Sequence, residues 1–127
     1  MRQDELKART KSFAMRVMKM ISVLPKSIEA KAVANQLVRS GTAVGANYRA
    51  TCRARSRAEF IAKIGIVEEE ADESAFWLEL IIESKLLTPT RVQPLLNEAN
   101  ELVAIMAASR ISAGRNKSAF GNRQSAI

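Results

Sequence analysis

Apolar side chains return every three to four positions through four stretches of this chain, and the breaks between them fall at Pro25, at Ser56 and at Thr88-Pro-Thr-Arg-Val-Gln-Pro94. That period places each set along one side of a helix, so the chain must bury four stripes against one another. The first stretch runs from about Asp4 to Pro25 and carries Leu6, Phe13, Val17, Met18, Ile21 and Leu24, with Asp4 and Glu5 at the end where the helix dipole favours negative charge. The second begins after Ser27, a natural N-cap, runs to about Arg53, and aligns Val33, Leu37, Gly41, Val44 and Tyr48. The third opens on Ser56-Arg-Ala-Glu59, a capping box in which Ser56 accepts from the Glu59 amide and Glu59 reaches back to the Ser56 amide. Its stripe is Phe60, Ile64, Val67, Ala71, Ser74, Leu78 and Ile81, and Ile61, Phe76, Trp77, Leu80 and Ile82 spread apolar surface beyond it. A face that wide calls for a second partner. The fourth starts somewhere from Pro89 to Pro94 and carries Leu95, Ala99, Leu102, Val103, Met106 and Arg110 to about Ser112.

Helices of this length joined by short turns predict an all-α, antiparallel up-down-up-down four-helix bundle over residues 1–112, followed by a disordered basic tail over 113–127. At 127 residues and 47% hydrophobic the chain has enough apolar mass for one core without a disulfide or a metal. Gly41 and Gly45 lie one turn apart inside the second helix, where each costs about 1 kcal/mol relative to alanine. Close approach of a neighbouring backbone, with Ala43 and Ala46 completing a small-residue face, explains them; a local kink is the alternative. Cys52 has no second cysteine to pair with, which suits a reducing, cytoplasmic setting, and no uncharged apolar run is long enough to cross a membrane.

Charge is distributed unevenly. Residues 1–63 hold 14 lysines and arginines against 4 acids, whereas residues 64–112 hold 3 against 9. A basic flank on one copy facing an acidic flank on the next favours head-to-tail assembly, which closes into a ring when the rotation permits. Arg49, Arg53, Arg55 and Arg57 form the densest basic cluster, and a pI near 10.1 matches the footprint of a phosphate binder. Arg49, Arg53 and Arg57 share a face if the helix persists through the turn. Tyr48 belongs to the core stripe, so binding to RNA or DNA is expected to be backbone-directed rather than by base stacking. Arg39, Asn47, Glu70 and Glu73 fall beside the stripes of the second and third helices and are expected to pair as an internal network. The competing reading is a structural or adaptor oligomer that engages an acidic protein. An enzyme is not expected: the chain has no histidine, no phosphate loop and no nucleophile elbow, and neither cofactor nor metal is implied.

Gln36-Leu-Val-Arg-Ser-Gly-Thr-Ala-Val-Gly-Ala-Asn-Tyr-Arg49, Arg53-Ala-Arg-Ser-Arg-Ala-Glu-Phe-Ile61 and Glu70-Ala-Asp-Glu-Ser-Ala-Phe-Trp-Leu78 together resemble the signature of the 23S ribosomal RNA intervening-sequence protein family of four-helix bundles. That family is in turn similar to the accessory proteins of diversity-generating retroelements. The resemblance implies a left-handed antiparallel bundle, a ring-shaped homopentamer, nucleic-acid binding and, by analogy, a protein partner such as a reverse transcriptase. Ala50 and Glu69 depart from the family pattern, which usually has glutamate and lysine there, so a family ion pair at those positions does not carry over.

Overall fold

The computed structural model describes residues 1–115, which form four helices and no strand: α1 (Gln3–Ile21), α2 (Ile28–Thr51), α3 (Arg57–Glu83) and α4 (Pro89–Arg115). Local signals set most of the boundaries. Ser27 accepts from the Ala30 amide at 3.2 Å and Ser56 from the Glu59 amide at 3.0 Å, each satisfying one of the donors that a helix start leaves open. The Ser56 box closes one residue early, because the Glu59 carboxylate accepts from the Arg55 amide at 3.4 Å rather than from Ser56. Lys85 adopts φ 60° just past the end of α3, where the Leu86 amide donates to the Ile81 carbonyl and the Lys85 amide to the Ile82 carbonyl. These bonds make a Schellman turn with lysine where glycine is preferred. Pro89 opens α4, where a missing N–H costs nothing, and Pro94 sits one turn in; the carbonyl it leaves without a donor belongs to exposed Thr90.

The stripes meet in one core. Phe13, Val17, Leu37, Val44, Ile64, Val67, Leu78, Ile81, Leu102 and Met106 have no exposed surface. Met18 was expected among them but is 54% exposed, one position off the stripe that Val17 occupies. Each helix packs on its chain neighbours, α3 most extensively, while the α1–α4 seam is the loosest.

At the α1–α2 crossing, a Cβ on Gly41 would lie 2.8 Å from Val17 Cγ2, and one on Gly45 would lie 3.3 Å from the Thr10 carbonyl oxygen. Glycine is what lets α1 lie down on α2. Of the two alanines expected to share this face, Ala43 is half-buried and Ala46 is exposed. At the α2–α3 crossing, fully buried Ser74 donates to fully buried Ser40 at 2.9 Å.

Two helix ends differ from the sequence reading. α2 stops at Thr51 instead of continuing through Arg53, and the Arg53 and Ala54 amides turn back onto the Ala50 and Thr51 carbonyls. α4 continues three residues past Ser112 because Ala113 is buried and Arg57 donates to the Ala113 and Gly114 carbonyls at 3.3 and 3.4 Å. The rest of the expected tail, 116–127, lies outside the described residues.

Candidate nucleic-acid interface

The structure separates the arginines that tie helices together from those at the end of α2 and on the turn that follows it. In the first set, each guanidinium is held in a carboxylate fork that ties two helices. Arg9 on α1 donates twice to Glu98 on α4 at 2.7 Å and again to Glu101 at 3.3 Å. Arg39 on α2 donates to both oxygens of Glu70 on α3 at 3.2 Å and to Glu73 at 2.6 Å. Arg110 on α4 donates to Glu68 on α3 at 2.7 and 3.4 Å. Paired, bidentate geometry of this kind favours the charged form and fixes the side chain. The Arg9, Arg39 and Arg110 guanidinium groups are all pushed further towards the charged state, by hydrogen bonds to Glu98, Glu70 and Glu68 respectively. Glu73 also accepts from the Trp77 indole at 3.1 Å, and that bond, with the one from Arg39, holds its carboxyl below the usual glutamate range.

Of the four residues expected to form a network, the structure brings Arg39, Glu70 and Glu73 together and leaves Asn47 out. Asn47 donates to the Ala43 carbonyl of its own helix at 2.9 Å. The forks of Arg9 and Arg110 are not among the pairings expected from the sequence; the i, i+3 pair Glu98 and Glu101 is a local hint of the first.

The second set is solvent-facing. Arg49 lies in the last turn of α2 and is exposed; Arg53 and Arg55 are exposed on the turn to α3, and none of the three guanidinium groups forms an ion pair among the described residues. Because α2 stops at Thr51, the expected face shared by Arg49, Arg53 and Arg57 does not exist as one helix surface. Arg57 is half-buried and spends its guanidinium on the last carbonyls of α4, so it is a cap for that helix end.

Beside this turn lies a cleft of about 910 Å³, lined by Arg2, Lys7, Tyr48, Phe60, Ser109 and Ser112 among others. The cleft gathers the start of α1, the end of α2, the start of α3 and the end of α4 at one place. Tyr48 and Phe60 are 5% and 4% exposed, so the floor is packed and the cations stand on the rim. Cys52 is buried here too. Burial pushes its thiol up, against the opposing effects of a Tyr48 hydrogen bond and the nearby Lys7 charge, so it is a poor nucleophile. Among the described residues no group of three or more acids and cysteines is placed to hold a metal ion, and no helix is long and apolar enough to cross a membrane.

A family model described as 23S rRNA-intervening sequence protein matches residues 2–108. Among solved structures, a protein of unknown function from the S23 ribosomal protein family of Bacteroides thetaiotaomicron superposes with a TM-score of 0.79 at 31% identity, covering 87% of this chain and 98% of that one. The comparison with curated proteins gives no match.

Proposed function

We propose that this chain, which belongs to the 23S rRNA-intervening sequence protein family, is a non-enzymatic, self-assembling helical bundle that holds nucleic acid on its basic end. The observation that carries the reading is the sorting of arginines. Arg9, Arg39 and Arg110 are spent on internal forks, while Arg49, Arg53 and Arg55 are exposed at the end of the bundle where Lys7, and Arg2 paired to Asp4 at 3.2 Å, line a cleft. Arg49, Arg53, Arg55 and Lys7, which form no ion pair among the described residues, suit the phosphates of RNA or DNA.

The helices run antiparallel in this reading, supported by the crossings of Gly41 with Val17 and Gly45 with Thr10, where one residue number rises as the other falls. Copies assemble head to tail into a ring, a homopentamer by analogy, which repeats the basic end and adds avidity. Against catalysis stand the absence of histidine from the sequence and the buried, raised Cys52 thiol. The cytoplasm is the proposed setting.

The test is binding of labelled single-stranded and duplex RNA and DNA to wild type and to the triple variant Arg49→Glu, Arg53→Glu, Arg55→Glu. Affinity that is strong at low salt and abolished by the substitutions supports the reading. No binding at low salt, or binding that the substitutions leave untouched, overturns it.

A further inference from the structure

One face of α3 points away from the core along its whole length and carries Ile66, Glu69, Asp72, Phe76, Glu79 and Glu83, all exposed. Phe76 is 51% exposed, and its ring stands edge-on to Trp77 at a centroid distance of 4.9 Å, which steadies it. The four acids around it make no ion pair among the described residues, unlike Glu68, Glu70 and Glu73 on the flanks of the same helix. The result is an aromatic knob ringed by uncommitted negative charge.

The complement exists on the same molecule. Where the end of α1 meets the start of α4, Met20, Val23, Pro94 and Leu95 floor a groove of about 260 Å³. Arg16, Lys19 and Arg91 stand round it, exposed and without a carboxylate among the described residues. The floor offers no side-chain donor and, in the Met20 sulfur, only a weak acceptor with which to read a nucleotide base, whereas an apolar ring would exclude water from it.

Resting on the reading of the protein as a self-assembling bundle, we propose that Phe76 of one copy seats in the groove between α1 and α4 of the next. Asp72 and Glu79 flank the ring one turn to either side and meet Arg16, Lys19 and Arg91 at the groove's rim. Knob and groove are different patches of the chain, so the contact is heterologous: each copy gives one knob and receives another, and the series closes or extends according to its rotation. Charge complementarity sets the register and the buried ring supplies the adhesion.

Light scattering on three samples tests this, with circular dichroism to show that each variant is folded. Wild type is expected as an oligomer, and Phe76→Glu and the double variant Arg16→Glu, Arg91→Glu each as a 14.0 kDa monomer. Mixing the two variants leaves one competent junction per pair, so a one-to-one dimer is expected and nothing larger. A folded Phe76→Glu protein with the mass of wild type overturns this interface while leaving self-assembly standing; a monomeric wild type removes both. If the groove variant keeps its mass and instead loses RNA affinity, the groove holds nucleic acid and the proposal is wrong.

Discussion

Val17 occupies the space that a side chain at Gly41 would need: Cγ2 lies 2.8 Å and Cγ1 2.9 Å from the position of a Cβ there. Val17 has no exposed surface and, being branched at Cβ, has little room to turn. Gly41→Ala gains about 1 kcal/mol of helix propensity but overpacks the crossing, with a net loss of roughly 1–2 kcal/mol expected in urea unfolding. Adding Val17→Ala relieves the clash, so the double variant loses less than the two single changes summed.

The forks differ in worth. Arg9 and Glu98 have only 25% and 14% of their side-chain surface exposed, so Arg9→Met strands a carboxylate in a partly dry seam and costs about 1–3 kcal/mol. Arg39 is half exposed, which lets water and salt screen its bonds. Arg39→Met lowers the melting temperature by less than Arg9→Met does, and added salt shrinks the difference from wild type. Differential scanning calorimetry of both variants checks the order.

Glu73 supplies a pH signal. Its carboxyl titrates below the ordinary glutamate range, so its bonds to Trp77 and Arg39 stabilise the fold fully at neutral pH and are lost as pH falls through the depressed value. Trp77 is the chain's single tryptophan and donates directly to that carboxylate. Its fluorescence changes in an acid titration with a midpoint below that of a free glutamate, and Glu73→Gln removes the step.

Lys85 holds a left-handed conformation that costs a side chain about 1 kcal/mol and glycine nothing. Lys85→Gly therefore raises stability by about that amount in chemical denaturation, an unusual direction for a glycine substitution.

Much of this architecture is legible in the chain because its determinants are local. Ser27 and Ser56 announce helix starts a few residues before the apolar stripes resume, and the stripe of α3 from Phe60 to Ile81 is buried at every position named. Gly41 and Gly45 also speak locally, since two costly residues one turn apart need an external reason. What the sequence hides is set by residues far away along the chain. Arg57 looks like its neighbours in the basic cluster until the end of α4 arrives beside it and takes its guanidinium. Asn47 looks like a network member until the register of α2 on α3 sets Arg39 opposite Glu70 and Glu73, with Ser40 opposite Ser74. The end of α2 at Thr51 falls two residues short of the expected Arg53, at Thr51 and Cys52, both weak helix formers.

The most direct test of nucleic-acid binding at the basic end is the slope of log affinity for RNA against log salt, measured for single arginine variants. Arg49→Gln, Arg53→Gln and Arg55→Gln are each expected to reduce the slope by about 1 for every phosphate contact removed. Arg39→Gln, which only empties an internal fork, is expected to leave the slope as in wild type. Equal slopes across all four variants, or a larger loss at Arg39 than at Arg53, would contradict the account.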